Sequence, residues 1–396
     1  MINSILFIES HTDLTLPPVG GRDQRTQLLL KACQLIADVD VVSFVKTKGG
    51  NDEKIRFIYN NDIPPLLQAK NRFEKMKRLL FMWRRDYLFS VNRIKQEIIN
   101  ECLKQKKYDY VIIRYVTNAL EVGIDKLECN YVIDVDDDPY KTFISTMRAS
   151  KSLRAKLYHW FEAVFAQRIT RFILERAAHS FVSDPLLTYD GRSIYLPNIP
   201  YYTTPCTLPD NTSKIKRLLF VGDMEYFPNY YGVNHFIYNI FPLIKEKMPN
   251  VEFHVVGRIN NEKRKERWSN ITGVYIDGFS KDLYLDYQES HVVVIPIYHG
   301  SGTNIKVLEG MQMERPMVVS QYATRGYDFH SGKSYLVAET DKEFAYKVVE
   351  LLQNVELYKQ IVLQAKVDLK DKFSLSKFEN VVKSTLTNQF NTINPQ

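Results

Sequence analysis

The sequence predicts an α/β protein of two doubly wound domains, each a parallel sheet covered by helices on both faces. Three observations carry that expectation. Strand-length apolar runs alternate with helix-length periodic segments through most of the chain. The alternation stops once, between Leu196 and Lys216, and then restarts. Several strand runs end on glycine, which suits the carboxyl edge of a parallel sheet, where ligands bind and backbone must come close.

The elements follow in order. Ile5 to Glu9 is apolar and ends polar; a Pro-Pro-Val-Gly-Gly turn leads to a helical pattern from about Arg25 to Ile36. Val39 to Val45 is β-branched. Tyr110 to Arg114 (YVIIR) and Tyr131 to Val135 (YVIDV) are near-continuous apolar runs, the pattern of strands buried on both faces. A long helix is expected from about Leu153 to Ala178, then a strand at Ser180 to Ser183. In the second half, strands are expected at Arg217 to Gly222, Val251 to Gly257, Val274 to Gly278, His291 to Pro296 and Pro316 to Ser320. Helical patterns lie at Tyr231 to Lys247 and Lys306 to Gln312. The expected domains are 1–200 and 201–374, with 375–396 a terminal helix packing back on the first.

Composition bounds the function. A chain of 396 residues, 45% hydrophobic and 25% charged, can bury two ordinary cores. No apolar run approaches the roughly 20 residues that span a bilayer. The start, MINSILFIESHTD, lacks the basic opening and cleavage site of a signal peptide. Cys33, Cys102, Cys129 and Cys206 have no metal-like spacing and fit a reduced, cytoplasmic chain. A net charge of +7 permits an anionic partner, but no nucleic-acid module accompanies it.

Glycines at Gly20, Gly21, Gly222, Gly257, Gly300 and Gly302 stand where strands give way to loops or helices. Each alone could be a turn glycine; spread over both halves they point to a phosphate-bearing ligand at helix N-termini. The segment Gly300 to Glu309 (GSGTNIKVLE) is the most informative. Gly300, Ser301, Gly302, Thr303 and Asn304 form a small, polar loop, and Lys306 falls in the first turn of the helix that follows. A cation there opposes the helix dipole, and an anionic ligand would reverse that. Glu309 lies three residues on, suited to a sugar diol; the plainer alternative is a surface Lys306–Glu309 pair. Neither a P-loop nor a G-x-G-x-x-G fingerprint occurs.

At these residues the chain resembles the retaining GT-B glycosyltransferases of family four, glycosyl transferases group 1, of the bacterial surface-polysaccharide type. RLLFVGDMEYFPN (Arg217 to Asn229), FPLIKEKMPNVEFHVVGR (Phe241 to Arg258), GVYIDGF (Gly273 to Phe279) and VVVIPIYHGSGTNIKVLEGMQMERPMVVS (Val292 to Ser320) match in order. PPVGGRDQRTQ, VIDVDDDP, ERAAHSFVSD and LPN match more loosely in the first half. The resemblance implies two Rossmann-like domains facing a central cleft, an acceptor domain followed by a nucleotide-sugar domain, and hexosyl transfer without metal or added cofactor. It implies that Glu309 holds the donor ribose, that Lys306 faces the diphosphate with Arg258 in reach of a phosphate, and that Gly302 and its neighbours cradle it. Gly278 and Phe279 would stand beside the base, Gly222 at the donor strand end, and Gly21 near the reaction centre.

Three departures qualify this. Ser301 stands where the family often has the first glutamate of a Glu-x7-Glu pair. Asp223-Met224-Glu225-Tyr226 replaces a cation-bearing run after Gly222. Asp136, within Asp134 to Asp138, aligns with a frequent histidine. For Asp136 the alternatives are an acceptor or donor-sugar contact, metal binding by the acidic run, or helix capping by Asp137 or Asp138 before Pro139. Lys70 to Phe89 and Lys151 to Arg176 mix basic and aromatic residues at helical spacing. They read as solvated domain helices or as contacts with an anionic membrane surface at the inner face of the plasma membrane, which suits a lipid-linked glycan acceptor. Rival functions are a degenerate nucleotide-sugar-binding partner protein and an epimerase on the same fold.

Overall fold

The computed structural model describes residues 2–18, 20–48, 53–63, 91–136, 138–150, 152–185, 193–201, 204–207, 213–280, 282–300, 303–327, 329 and 332–387. The chain divides into two compact units, Met1–Asn198 with Leu375–Gln396, and Ile199–Ser374.

Unit 1 holds a parallel sheet in the order β3-β2-β1-β4-β5-β6-β7. Its strands are β1 (Ser4–Glu9), β2 (Asp38–Ser43), β3 (Arg56–Asn60), β4 (Tyr110–Arg114), β5 (Tyr131–Val135), β6 (His179–Val182) and β7 (Ser193–Tyr195). Every residue of β1, β4 and β5 is buried, as their unbroken apolar runs require of strands covered on both faces. The helices are α1 (Gly21–Gln34), α2 (Arg93–Gln105), α3 (Val116–Val122), α4 (Pro139–Ala149) and α5 (Leu153–Leu174), and α13 (Leu375–Leu386) packs on α1. Helix α1 starts earlier than the periodicity predicts. Gly20 is an extended N-cap, and the first turn is tied down by Arg114, whose Nη1 donates to the Arg22 carbonyl at 2.7 Å.

Unit 2 repeats the plan with the order β10-β9-β8-β11-β12-β13. Here β8 (Lys216–Val221), β9 (Val251–Val256), β10 (Val274–Gly278), β11 (Val292–Ile295), β12 (Met317–Ser320) and β13 (Leu336–Ala338) are all parallel. The helices are α6 (Phe227–His235), α7 (Phe241–Lys247), α8 (Glu262–Ser269), α9 (Leu283–Gln288), α10 (Ile305–Gln312), α11 (Asp341–Gln353) and α12 (Val355–Lys372). The single helix expected at Tyr231 to Lys247 is instead α6, a π-helical turn at Phe236–Ile240 and α7. The wide turn precedes Pro242, whose missing N–H removes a helical hydrogen bond.

Both sheets reverse their winding once, between β1 and β4 in unit 1 and between β8 and β11 in unit 2. In open α/β sheets such a switch point, at the carboxyl ends of the strands, is where loops part to leave a ligand crevice.

Candidate functional site

In unit 2 the strand-end glycines stand side by side. The Gly222 N–H donates to the Val256 carbonyl at 2.9 Å and the Gly257 N–H to the Gly278 carbonyl at 2.7 Å. Gly257 has φ +141°, and a Cβ there would stand 1.8 Å from the Gly222 carbonyl oxygen. A Cβ on Gly222 would lie 3.0 Å from Lys306 Cε and 2.8 Å from Asn229 Nδ2. Glycine at these two positions therefore lets β8 and β9 close and leaves room for the Lys306 stem across the end of β8.

Lys306 stands in the first turn of α10, with Nζ 5.8 Å from the Phe220 ring centroid. Burial lowers the pKa of its ammonium; Glu309 and Asp223 oppose the shift, and Arg325 adds to it. No salt bridge joins Lys306 to any carboxylate among the described residues, so the plain surface Lys306–Glu309 pair does not form. Glu309, half-buried on α10, contributes a stabilising field rather than a contact to the ammonium.

Two loops are laced together beside Lys306. The Tyr322 hydroxyl donates to the Gly300 carbonyl at 2.5 Å, and Asn304 Nδ2 donates to the Ala323 carbonyl at 3.1 Å. Thr303 packs so tightly on Gly326 that a Cβ there would stand 2.4 Å from Thr303 Cγ2. Gly300 has φ +126°, and its α-carbon faces Arg325 and the Tyr226 hydroxyl, each 3.2 Å from where a Cβ would stand. Ser301 and Gly302 lie outside the described residues.

Arg325 is the residue that sequence reasoning misses. It follows β12 in a loop with no motif, and the lacing carries it to Gly300, its guanidinium 4.2 Å from the Tyr322 ring centroid. The other expected cation, Arg258, is ion-paired with Asp223, and both are well exposed. Asp223 belongs to the run without cations that follows Gly222, so the same run also ties up Arg258. Gly278 takes φ +75° with open space around it, and Phe279 beside it is 61% exposed. A second feature is a ring cluster that no motif announces: Tyr231 meets His299 edge-on at 4.8 Å, and Phe227 stacks on His299 at 6.2 Å, next to Gly300.

Unit 1 uses its charges differently. Asp134, fully buried, accepts from Arg25 Nε at 2.9 and 3.0 Å and from Arg114 Nε at 2.7 Å. Arg25 Nη1 also donates to the Leu196 carbonyl and to Asn198 Oδ1. Asp136 accepts from Arg114 Nη2 at 2.9 Å and from Asn198 Nδ2 at 3.0 Å, and is 9% exposed. Asp136, expected to contact an acceptor or the donor sugar, is thus held by protein groups on both oxygens. Asp138 caps α4, accepting from the Tyr140 N–H at 3.0 Å, which realises the capping alternative. Asp137 lies outside the described residues, and no group of three acidic, histidine or cysteine side chains poised for a metal occurs among them.

Gly21 is the first residue of α1 rather than part of a loop. Nearby, after β1, Glu9 Oε1 accepts from the Ser10 and Thr12 N–H groups at 2.8 Å, curling the chain so that His11 lies 6.0 Å from the Tyr115 ring. Burial lowers the His11 pKa, with Glu9 opposing, so the imidazole is neutral at neutral pH. Tyr115 holds φ +66°, a strained backbone for a tyrosine, directly after β4 at the switch point. His11 and Tyr115 carry no sequence signal apart from following strands.

The Lys70 to Phe89 segment lies outside the described residues. Lys151 to Arg176 contains α5. No helix among the described residues is long and apolar enough to cross a membrane.

Residues 215–354 match the family Glycosyl transferases group 1. A 44.6 kDa Klebsiella pneumoniae protein of the cps region, itself uncharacterized, is 20% identical over 301 residues, covering 72% of this chain and 76% of its own. Sucrose-phosphate synthase from Thermosynechococcus elongatus superposes with a TM-score of 0.70 at 14% identity, over 98% of this chain and 99% of its own. S. aureus TarM, solved with fondaparinux, alpha-GlcNAc-glycerol and UDP, superposes with a TM-score of 0.66 at 11% identity, over 97% and 100%. The fold class is GT-B, with two parallel-sheet Rossmann-like domains.

Proposed function

We propose that this chain is a glycosyltransferase that moves a hexosyl group from a nucleotide-sugar to an acceptor hydroxyl, with retention and without a metal, in bacterial surface-glycan synthesis. The observation that carries the reading is Lys306, half-buried against the Gly222 strand end with Arg325 and the α10 N-terminus nearby, inside the segment that matches the family. Such a grouping stabilises charge on a departing nucleoside diphosphate, and preorganised charge in a partly dry site is the largest source of rate in such chemistry. Glu309 would accept from the donor ribose, and Phe279 would flank the base. The Klebsiella relative supports the surface-glycan setting, and the UDP bound to TarM supports a nucleotide-sugar donor.

A thermal-shift series over UDP-, GDP-, ADP- and CMP-sugars identifies the donor, because a ligand at a hundred times its Kd stabilises by roughly 2.7 kcal/mol. Lys306→Ala and Glu309→Ala are each expected to lose most transfer, by about 10²-fold or more, while remaining folded. Near-normal turnover in both variants would refute the site. Donor binding without transfer to any acceptor would instead favour the binding-partner reading, which the Asp223–Arg258 pairing keeps in play.

A further inference from the structure

We propose that the outward face of α5 is a docking surface for an anionic lipid bilayer. Leu153, Leu157, Trp160, Phe161 and Val164 are all exposed, Leu153 by 82% and Trp160 by 45%. At 3.6 residues per turn they fall within an arc of about 100°. The opposite side of the helix buries Ala163, Ala166, Ile169 and Ile173, so the core already has its apolar face. A helix with a second apolar stripe, pointing at water, has something left to bury.

The charges beside the stripe choose the occupant. Arg154 and Lys156 flank it on either side, and Arg168 and Arg171 extend it toward the helix end; all four are exposed. Between Leu153 and Arg171 the one carboxylate is Glu162, which hydrogen-bonds His159 at 2.9 Å toward the other face. A face that is apolar and cationic with no acid complements an anionic headgroup layer. Leucine, phenylalanine and valine would enter the acyl boundary, tryptophan would sit at headgroup level, and the long cationic side chains would reach phosphate. The inference does not depend on transferase activity.

The test is co-sedimentation of the full chain with vesicles. Phosphatidylglycerol mixed into phosphatidylcholine is expected to bind the protein about tenfold more tightly than phosphatidylcholine alone, with the difference lost in high salt. Leu157→Gln/Trp160→Gln/Phe161→Gln should lower partition about tenfold, and Arg154→Gln/Lys156→Gln, which keeps the stripe, should lower it by a smaller factor. Trp160 emission should shift to the blue on anionic vesicles, a change absent in Trp160→Phe. Unchanged circular dichroism in the variants confirms that they fold. No binding to anionic vesicles at low salt, or binding that both variants retain in full, overturns the proposal. So does a self-association that disappears in the triple variant while vesicles bind nothing, which would mark the face as a contact between two copies.

Discussion

The two units share one plan and spend their charges in opposite ways. At the carboxyl edge of unit 1, Arg25, Arg114, Asp134 and Asp136 are buried and satisfy one another. At the corresponding edge of unit 2, Lys306 and Arg325 gather around glycines, and no carboxylate forms a salt bridge with Lys306 among the described residues. The contrast teaches how to separate structural from functional charge in a duplicated architecture. A buried charge with matched partners fixes geometry, whereas one desolvated beside a like charge is suited to an anion it has yet to meet.

The comparison breaks first at Asp134. Replacing Asp134 with Ala leaves two arginines buried without their shared carboxylate and should cost about 3–5 kcal/mol in urea unfolding. The pH dependence follows. Burial alone would raise the Asp134 pKa, but Arg25 and Arg114 outweigh it and hold the carboxyl below its ordinary value. Its contribution is therefore complete above the unfolded-state value near 4 and fades as pH falls through the lower folded one. Acid titration of stability should show that loss in the native chain and lack it in Asp134→Asn.

Unit 2 should answer in activity rather than stability. If the proposed function holds, Arg325→Ala is expected to cut transfer about tenfold with little change in Tm, because it would remove one of the charges near the departing diphosphate. Arg258→Ala should change transfer less than threefold and stability by under about 1 kcal/mol, since an exposed ion pair with Asp223 contributes little. If Arg258 proved the more costly loss, the anion would be approaching from β9 rather than from the β11 and β12 loops.

Much of unit 2 was legible in the sequence because its signals are local. A strand, a terminal glycine and a helix-opening lysine lie within short windows, and Gly222, Gly257 and Lys306 stand where those windows place them. Arg325 was illegible because a loop from another strand delivers it, and the lacing by Tyr322 and Asn304 has no periodicity to read. The unit 1 network was illegible for a related reason. Arg25 and Asp134 meet across 109 positions, and an arginine inside a helical pattern looks like solvated surface until its partner is known. Gly21 reads as part of a turn because helix propensity alone does not start a helix at glycine, and the anchoring of Arg22 and Arg25 overrides that propensity.

On the proposed function, the lowered pKa of Lys306 would make donor binding a protonic event. A diphosphate beside the ammonium would lift its pKa back toward the ordinary value, so wherever part of the free ammonium has lost its proton each molecule bound would draw a fraction of a proton from the buffer. Binding heats measured in buffers of different ionisation enthalpy should then diverge as pH rises, and affinity should weaken through the same range. Lys306→Arg, whose guanidinium stays charged, should bind with the same heat in every buffer.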